Sequence, residues 1–282
     1  MTTGRADEPE QAALSRLLAM SLTRLATPGE YHNQHFQGRG RSGTRVFVKL
    51  FDDAGYWTRA IRAAPLAELY GGRTPQLLDH GELAPDRWWL VYEWVELAEF
   101  RPTVAHIVRA GELLGRLHRA TTGLHLDRDF RRHDLDEEIT ARVSALHSLD
   151  PAAADRVRTL RSRWEDFDLT REVCVIHGDV HWRNLGIDPD GGIVLYDWEN
   201  TASGHPLLDF GKLIDLPLID PTDRRAFMHG YQLHANQLYP WPDAVALVRL
   251  WTTVGVLVYA LSRGLPDFAA HGYAVLRQLE HR

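Results

Sequence analysis

The sequence contains very little cysteine and lysine, and these two shortages narrow its class. Among 282 residues there is one cysteine, Cys174, so an intrachain disulfide and a cysteine-rich zinc site are both excluded. Its apolar neighbours predict that Cys174 is a buried core residue. Two of the 32 basic residues are lysines, Lys49 and Lys212. The ammonium group of lysine is more compact than the guanidinium group of arginine. A lysine kept in a chain so rich in arginine therefore suggests a site that needs a compact positive charge.

Positive charge is not in excess, and long apolar runs are few. A net charge of −6 does not favour a nucleic-acid-binding protein, which usually has a strongly basic face. Residues 1–11 lack the apolar segment of a signal peptide. The apolar run at residues 254–261 is too short to cross a bilayer. These features predict a cytoplasmic protein that binds neither nucleic acid nor membranes.

The hydrophobic periodicity changes about a third of the way along the chain. The first part is predicted to contain a helix over residues 11–26, a hairpin over 30–51 with Gly38, Gly40 and Gly43 in its turn, a helix over 57–70 and strands over 74–97. The second part is predicted to contain helices over 106–120, 137–148 and 152–166, short strands at 173–176, 185–187 and 193–196, and then further helices. The pattern predicts an α+β protein with a β-rich N-terminal lobe, residues 1–95, and a mostly helical C-terminal lobe, residues 96–282. A ligand is expected between such lobes.

A dense group of polar residues follows one of the short apolar strands. The octet HGDVHWRN, residues 177–184, places Asp179 and Asn184 five positions apart. The turn DPDGG then folds a hairpin back, which brings Asp197 near Asn184. Oxygen ligands from few side chains suit Mg²⁺, and the remaining carboxylate of Asp179 can accept a proton from an attacking hydroxyl. With an ammonium at Lys49 to neutralise phosphate charge, these groups predict phosphoryl transfer.

HGDVHWRN, followed by IVLYDWEN, resembles the catalytic and metal-binding motifs of the aminoglycoside phosphotransferase and choline kinase family, relatives of the protein kinases. The strand that carries the nucleotide-binding lysine in this family is resembled by RVFVKLF, and the hinge is resembled by LVYEWVE. A family helix is resembled by LLGRLH. The segment after the metal-binding aspartate is resembled by SGHPLLDFGKL. The resemblance implies a two-lobed protein-kinase-like fold. It also implies an ATP- and magnesium-dependent phosphotransferase that acts on an alcohol group of a small molecule, with GTP left open as the donor.

The resemblance implies a role for each matching position. Asp179 matches the catalytic base, and Asn184 and Asp197 match the magnesium ligands. Lys49 matches the lysine that contacts the ATP phosphates. Backbone groups for adenine are implied at Glu93 and Val95, and a loop over the phosphates at His32, Asn33 and Gln34.

Three further positions are expected to support the site without contacting substrate. His177 is expected to organise the loop that carries the catalytic base. Asp209 is expected to hold that loop from behind. Trp198, which directly follows the metal-binding aspartate, is expected to pack into the core.

One departure from the family pattern concerns the partner of Lys49. The family places a glutamate on the first long helix, near residue 60, where this chain has Ala60. Glu68 is the only acid of that helical stretch. Either Glu68 pairs with Lys49 or Lys49 lacks its usual partner, and the second alternative is favoured by the spacing.

The acceptor substrate is left open by the sequence. An amine-bearing substrate, such as an aminoglycoside, a basic peptide antibiotic or an amino alcohol, could be received by a cluster of acids at Asp127, Asp129, Asp134, Asp136, Glu137 and Glu138. The same acids would also suit the solvated start of a helix. Antibiotic resistance, self-protection of a producer, and metabolism of choline, an amino alcohol or a sugar are all compatible with the motifs.

Two other protein classes share part of the pattern. A pseudokinase would bind nucleotide without turnover, and the missing helix glutamate is the only feature that favours it. A metallophosphoesterase would use GDVH as an Asp-x-His metal motif, with His177 and His181 as possible transition-metal ligands. The GNH motif that should complete such a site does not occur. Ordinary turn chemistry explains one Asp or Asn in a loop, but three at kinase spacing argue against it.

Overall fold

The computed structural model describes residues 8–25, 33–98, 101, 103–124, 126, 131–132, 135–164, 173–213, 220–235 and 241–281. Its helices are α1 (Glu8–Leu18), α2 (Ala54–Ala67), α3 (Val104–Ala120), α4 (Leu135–Leu149), α5 (Pro151–Arg161), α6 (Phe210–Leu213), α7 (Pro221–Gln232), α8 (Trp241–Arg263) and α9 (Pro266–Glu280). Its strands are β1 (Ser21–Arg24), β2 (Gln34–Arg39), β3 (Arg45–Phe51), β4 (Leu77–Ala84), β5 (Arg87–Glu93), β6 (Arg131–Arg132), β7 (Cys174–Ile176), β8 (Leu185–Ile187), β9 (Ile193–Leu195) and β10 (Ala202–Gly204).

The described residues group into two compact units. The N-terminal unit comprises the described residues of 1–68, 72–99 and 186–200, and the helical unit comprises those of 69–71, 100–185 and 201–282. Most of the β8–β9 hairpin therefore belongs to the N-terminal unit although it comes late in the chain. The predicted lobes, residues 1–95 and 96–282, stay a prediction, and they differ from the units mainly in where they place this hairpin.

The N-terminal unit is built on an antiparallel five-stranded sheet in the order β1-β2-β3-β5-β4. Strand β3 shows how its sequence produces two different faces, because successive side chains of a strand point to opposite sides. Val46, Val48 and Leu50 join a buried apolar cluster with Phe36 and neighbouring leucines. The alternate position Lys49 is turned to the other face and is also buried.

Helix α1 is shorter than the sequence predicts. The periodicity places Leu14 and Leu22 on one helical face, but the helix ends at Leu18 and Ala19 adopts a left-handed φ of 51°. Residues Ser21–Arg24 instead form β1, which pairs with β2. Leu14 and Leu22 still share one apolar cluster. The prediction of a single helix over residues 11–26 is therefore wrong, although both leucines are in the core.

The predicted hairpin is present as β2 and β3, with a turn that is shorter than expected. Gly38 was expected in the turn but lies within β2, opposite Val46. A Cβ atom at Gly38 would be 2.6 Å from Val46 Cγ2, so a glycine is needed there for close packing. Gly40 and Gly43 remain in the turn, and Gly43 has a φ of 83°.

Helix α2 starts three residues earlier than the sequence predicts. The Asp53 side chain accepts hydrogen bonds from the backbone N–H groups of Gly55 and Tyr56, which caps the helix at its N-terminus. Pro65 lies inside the helix, which ends at Ala67 and continues as a 3₁₀ turn to Tyr70. The buried face of α2 includes Ala60, which packs with Phe51 and Leu90 of the sheet.

The helical unit contains a small second sheet in the order β6-β10-β7. Strand β7 is wholly buried, and Cys174 lies in it with 2 % of its surface exposed, which confirms the predicted core position. Strand β10 pairs antiparallel with β7 and was not predicted. The sequence ASG of β10 has neither the length nor the β-branched residues that signal a strand.

Helices α3 and α7 pack unusually closely because glycines occupy their contact. A Cβ atom at Gly111 would be 2.1 Å from the carbonyl oxygen of Phe227, and one at Gly230 would be 2.0 Å from the carbonyl oxygen of Val108. Both glycines are therefore required for the observed helix separation. The resulting close contact brings side chains of the two helices within hydrogen-bonding distance of each other.

Helix α8 is more apolar over a longer stretch than the sequence suggests. By length and composition, residues Val245–Arg263 could cross a membrane, and half of the most apolar window is buried within the fold. The apolar run at residues 254–261 is thus part of a longer apolar helix. A buried core helix passes the same test, and α8 packs against α4, α6 and α9.

Candidate active site

A buried ion cluster in the N-terminal unit is centred on Lys49. Its Nζ donates to Asp197 Oδ1 at 2.6 Å and also forms an ion pair with Glu199. The Lys49 side chain is 5 % exposed, and that of Glu199 is 12 % exposed. Glu68, considered as a partner from the sequence, is exposed at the end of α2. In the described contacts Lys49 thus has no glutamate partner from helix α2, as the spacing favoured, and Glu199 and Asp197 take that role instead.

The charges of this cluster do not balance, because one ammonium faces two carboxylates. Burial by itself lowers the pKa of Lys49, but the negative charges of Asp197 and Glu199 outweigh burial and raise it. Burial and the Asp197 carboxylate together raise the pKa of Glu199 to about 7, although Lys49 opposes this shift. The cluster therefore holds Lys49 firmly charged. When both acids are ionised it carries a surplus of negative charge, which is why Glu199 binds a proton readily near neutral pH.

The backbone at Asp197 is held in an uncommon conformation. Asp197 has a φ of 70°, in the left-handed region that few residues other than glycine adopt. The next residue, Trp198, is 6 % exposed and donates from Nε1 to Thr74 Oγ1 at 3.0 Å and to the Leu195 carbonyl at 3.2 Å. The predicted packing of Trp198 into the core is confirmed. Its hydrogen bonds fix the turn that presents the Asp197 carboxylate.

Helix α2 contacts this turn through an arginine rather than a glutamate. Arg59 Nε donates to the backbone carbonyl of Glu199 at 3.1 Å. The Arg59 guanidinium also lies 4.5 Å from the centre of the Tyr56 ring, which restricts its position. Helix α2 thus holds the backbone of Glu199, whose side chain in turn binds Lys49.

Two of the three residues expected in a phosphate-binding loop are described, and His32 lies outside the described residues. Asn33 Nδ2 donates to Glu199 Oε1 at 3.2 Å, so Asn33 belongs to the Lys49 cluster. Gln34 is the first residue of β2, and its Nε2 donates to Glu10 Oε2 at 3.1 Å. Gln34 thus contacts α1 through its side chain.

The expected hinge residues lie at the end of β5 and just after it in the N-terminal unit. The backbone N–H of Glu93 donates to the Gln76 carbonyl at 2.8 Å, so that N–H is already used. The Glu93 carboxylate binds Arg73 Nη2 at 3.0 Å. Val95 lies in the irregular segment after the strand and is half-buried. Whether either residue meets a nucleotide stays a prediction.

In the helical unit, the octet forms a loop whose backbone is held by Asp209. Gly178 has a φ of 77°, which explains why a glycine follows His177. The backbone N–H groups of His177 and Gly178 donate to the two oxygens of the Asp209 carboxylate at 2.9 and 2.7 Å. Asp209 is 1 % exposed. The prediction that Asp209 holds this loop is confirmed.

Asp179 and Asn184 are joined within this loop. Asn184 Nδ2 donates to the backbone carbonyl of Asp179 at 3.0 Å, and the Asn184 backbone N–H donates to the His181 carbonyl at 2.9 Å. Because the amide nitrogen of Asn184 is committed to the loop, its amide oxygen is the atom directed elsewhere. The Asp179 side chain is 15 % exposed, so the loop presents a largely shielded carboxylate.

The two histidines of the octet have different surroundings. His177 is fully buried, and its Nδ1 accepts the backbone N–H of Asp179 at 3.2 Å, as expected of a residue that organises the loop. His181 Nε2 lies 3.5 Å from Asp179 Oδ1, while its Nδ1 accepts the Arg183 N–H. In the described part of the chain, no group of three or more His, Cys, Asp or Glu side chains is placed to hold a metal ion. The described geometry thus gives no support to a metallophosphoesterase site.

Sequence comparison identifies the family. Residues 23–245 match the phosphotransferase enzyme family, APH, over most of the chain. The chain belongs to this phosphotransferase family. No curated protein sequence matches it.

Several solved structures of small-molecule kinases share the fold of this phosphotransferase. The GDP and kanamycin complex of APH(2")-IIia superposes with a TM-score of 0.77 at 14% identity, covering 98% of this chain and 99% of that one. Amicoumacin kinase hAmiN, in complex with AMP-PNP, Ca²⁺ and Ami, gives 0.73 at 16% identity, covering 98% and 96%. Choline kinase LicA from Streptococcus pneumoniae gives 0.72 at 16% identity, covering 98% and 99%. These matches confirm the predicted two-lobed, protein-kinase-like α+β fold.

Glu199 is the residue that the sequence reasoning missed in the phosphotransferase. It lies two positions after Asp197 in the segment DWEN, and that spacing is the only signal in the sequence. A glutamate in a turn is usually exposed, so its burial against Lys49 could not be read from the pattern. A second missed pair, His118 and Tyr231, lies behind the octet loop in the helical unit.

The residues of the Lys49 cluster fit a divalent cation accompanied by phosphate. The donors are carboxylate and amide oxygens, which such cations prefer. Two buried atoms, Asn33 Oδ1 and His35 Nε2, have no hydrogen-bond partner among the described residues. Burial, followed by the charge of Lys49, lowers the pKa of His35 to about 4 and favours its neutral form. An excess of negative charge and unsatisfied polar atoms is what a bound metal and nucleotide would complete.

Proposed function

We propose that this protein is an ATP- and magnesium-dependent phosphotransferase that phosphorylates an alcohol group of a small molecule. The observation that carries the proposal is the burial of Lys49 between Asp197 and Glu199 in a member of a phosphotransferase family. A buried ammonium with surplus carboxylate charge has no evident structural advantage over apolar packing. It suits a site that must receive phosphate and a divalent cation.

Each residue of the proposed site has a distinct task. A bound magnesium nucleotide would supply the phosphoryl group and the positive charge that stabilises its transfer. Lys49 donates hydrogen bonds to phosphate oxygens, and Asp197 and Asn184 offer oxygens to the cation. Asp179 accepts the proton of the acceptor hydroxyl as the hydroxyl oxygen bonds to the terminal phosphorus, whose bond to the departing nucleoside diphosphate breaks. Glu199 keeps the ammonium of Lys49 in place when Asp197 turns to the cation.

Further contacts with the nucleotide belong to the same proposal. Backbone groups of Glu93 and Val95 face adenine, with the N–H of Glu93 excluded because it already binds Gln76. His32, Asn33 and Gln34 cover the phosphates. Among the similar structures, amicoumacin kinase is bound to AMP-PNP and APH(2")-IIia to GDP, so both ATP and GTP are candidate donors. We place the reaction in the cytoplasm, where nucleotide is supplied.

For the acceptor, we propose an amine-bearing alcohol such as an aminoglycoside or another cationic antibiotic. The similar structures include a kanamycin complex and an amicoumacin kinase, which supports an antibiotic. A choline kinase among them supports a metabolic amino alcohol as the second candidate. In the predicted acidic segment, Asp127, Asp129 and Asp134 lie outside the described residues, and Glu137 is exposed near the start of α4.

Glu138, the last acid of that segment, is already paired within the helical unit. Its Oε2 binds Arg142 Nη2 at 3.3 Å and accepts from Trp251 Nε1 at 3.1 Å. The Arg142 guanidinium also lies 4.3 Å from the centre of the Trp251 ring. A cationic substrate would therefore have to displace Arg142 to reach the Glu138 carboxylate.

The test is a phosphorylation screen of amine-containing alcohols and antibiotics with ATP or GTP, read by the mass gain of the product. The Asp179→Ala variant should lower turnover by about two to four orders of magnitude while nucleotide binding is retained, because it removes only the proton acceptor. Asp190→Ala is the matched control, since Asp190 is an exposed acid in the turn between β8 and β9. Full activity of Asp179→Ala would contradict the proposed role.

The screen also separates the other protein classes. A pseudokinase would bind magnesium nucleotide and give no product with any acceptor. A metallophosphoesterase would release phosphate from esters and carry tightly bound transition metal after purification, which elemental analysis would detect. A product that gains one phosphoryl group, formed only with nucleotide and Mg²⁺, would support the kinase.

A further inference from the structure

A buried chain of polar side chains in the helical unit links α7 to the octet loop. The Tyr231 hydroxyl lies 2.9 Å from His118 Nδ1, and His118 Nε2 lies 3.0 Å from Asp209 Oδ2. Tyr231, His118 and Asp209 are each exposed by 3 % or less. Buried polar groups arranged in this way restrict one another, since each would be costly to leave unpaired.

The directions of these hydrogen bonds follow from the chemistry of the groups. The ionised Asp209 carboxylate can only accept, so the facing Nε2 of His118 carries a proton and donates. In the neutral ring, Nδ1 then has a free lone pair, which accepts the Tyr231 O–H. Both nitrogens of His118 are therefore engaged, and the ring cannot turn without losing a bond.

Asp209 passes this restriction to the loop that carries the proposed base. Its Oδ2 accepts from both His118 and the backbone N–H of His177, and its Oδ1 accepts the N–H of Gly178. Asp179 follows immediately, and its own N–H donates to His177 Nδ1 at 3.2 Å. A continuous series of hydrogen bonds thus runs from Tyr231 to the backbone of Asp179.

The position of Tyr231 is itself closely defined by packing. A Cβ atom at Gly115 of α3 would lie 2.6 Å from the Tyr231 carbonyl oxygen, so the two helix backbones are almost in contact. The ring of Phe210 meets the Tyr231 ring edge to face, with centroids 4.9 Å apart. Phe210 directly follows Asp209 in the chain. The hydroxyl is therefore held at the end of a rigid ring rather than on a mobile side chain.

We propose that Tyr231 is a positioning residue for Asp179, acting through His118 and Asp209. The proposal rests on the proposed phosphotransferase function, in which Asp179 accepts the acceptor proton. Loss of the Tyr231 hydroxyl leaves His118 Nδ1 buried without its donor and frees the ring to turn. The Asp209 carboxylate then loses its fixed orientation, and the backbone of residues 177–179 shifts with it. Small misplacements of a reacting group are costly in rate.

The central experiment uses Tyr231→Phe, which removes one oxygen atom and keeps the ring. We expect turnover to fall by about tenfold. The Michaelis constant for nucleotide should stay within about twofold, because the expected shift is confined to residues 177–179, and none of the residues proposed to contact the nucleotide or its cation is among them. Nuclear magnetic resonance of the ¹⁵N-labelled protein should show a changed Nδ1 signal of His118 and shifted amide protons of His177 and Gly178.

Tyr273→Phe is the matched control. The Tyr273 hydroxyl also binds a carboxylate, Asp150, at 2.6 Å, but it lies on α9 and has no hydrogen bond to the octet loop in the described contacts. This variant should leave turnover and the amide protons of His177 and Gly178 unchanged. A second check is Tyr231→Phe in a His118→Gln background, where the relay is already broken and no further loss of turnover is expected.

Two results would overturn the proposal. One is unchanged turnover in Tyr231→Phe, and the other is a loss of turnover without any shift of the His177 and Gly178 amide protons. The resonance measurements need no substrate, so they test the link from Tyr231 to the loop even if no acceptor is found. A wild-type chain that phosphorylates nothing in the screen would instead contradict the proposed function.

Discussion

Lys49 shows how a single residue acquires its properties from the side chains around it. Its ammonium is buried, yet two neighbouring carboxylates keep it charged. Since one ammonium balances only one ionised carboxylate, the second has no balancing positive charge in this cluster. The family resemblance implies that the lysine pairs with an acid from helix α2. Here Lys49 departs from that pattern, because its acidic partner comes from the turn after β9. Helix α2 still takes part, because Arg59 holds the backbone of Glu199.

The surplus charge can be tested by substitution of Glu199. We expect Glu199→Gln to change the free energy of unfolding by less than about 1 kcal/mol, because the amide oxygen still accepts from Lys49 and one carboxylate remains. Glu199→Ala should cost about 2–4 kcal/mol, since it leaves Lys49 and Asn33 with fewer acceptors and opens a cavity. Urea denaturation measures both. Equal losses in the two variants would show that the charge of Glu199 itself is required.

At the scale of single residues, the sequence identified the candidate groups of the site but not their pairings. Lys49, Asp179, Asn184 and Asp197 could be named because their types and spacing form a motif. The ion pair of Lys49 with Glu199 could not be named, because it joins residues 150 positions apart and depends on burial. A sequence motif shows which side chains are present, whereas their pairing depends on the tertiary fold.

Among the secondary-structure elements, the α3–α7 contact is the most sensitive to side-chain size. Gly230→Ala should destabilise the protein by about 1–3 kcal/mol, because its Cβ would overlap the Val108 carbonyl, and this exceeds the gain of about 1 kcal/mol in helix propensity. Gly255→Ala in α8 is the control, since its Cβ would meet side-chain atoms of Arg142 rather than backbone atoms. Thermal unfolding compares the two. A stabilised Gly230→Ala variant would contradict the close helix contact.

The N-terminus of α5 provides a pH-dependent contribution to stability. Asp150 caps this helix, and the Tyr273 hydroxyl, followed by the Ala153 N–H, lowers the pKa of its carboxyl. A lowered pKa means that stabilisation is present above the unfolded-state value of about 3.9 and is lost as the pH falls through the folded-state value.

Removal of the hydrogen bond tests this dependence. Tyr273→Phe should lower the free energy of unfolding by about 0.5–1 kcal/mol at pH 7, a modest effect because the pair is only partly buried. The difference from the wild type should shrink below about pH 4, where Asp150 becomes protonated. Urea denaturation across this range measures the effect. A constant difference down to pH 2 would show that the carboxylate form of Asp150 is not involved.

At the scale of elements, helix α3 and the short strands β7, β8 and β9 were predicted to within two residues, whereas β1 and β10 were missed. The apolar stripe of α3 gives its position within two residues, because the buried face repeats along seventeen residues. Strand β1 was missed because Leu14 and Leu22 have helical spacing. The spacing does not reveal that Ala19, between them, adopts a left-handed conformation that ends the helix. Strand β10 has three small residues and becomes a strand because β7 lies beside it.

The whole molecule should respond to nucleotide through its stability. A ligand that binds only the folded state at 100 times its dissociation constant adds about 2.7 kcal/mol. For a chain of this size, that should raise the melting temperature by about 5 °C. We expect magnesium ATP to produce such a shift in the wild type and in Asp190→Ala, but not in Asp197→Ala. A normal shift in Asp197→Ala, measured by calorimetry, would contradict the metal role of Asp197.

The division into units is the feature of the whole molecule that the sequence pattern did not reveal. Periodicity along the chain separated a β-rich part from a helical part at about residue 95. It could not show that residues 186–200 return to the N-terminal unit, because that return depends on contacts such as Trp198 with Thr74. The family resemblance indicated the fold class, but which residues belong to each unit depends on tertiary contacts that the sequence pattern does not show.

This return of the chain has a consequence for any attempt to express the N-terminal part alone. A fragment that stops at residue 98 contains the whole five-stranded sheet but lacks the two acids that neutralise Lys49. Such a fragment would have to bury a bare ammonium or turn it out to water. Synthesis on the ribosome meets the same difficulty, because the sheet emerges about a hundred residues before its counter-charges do.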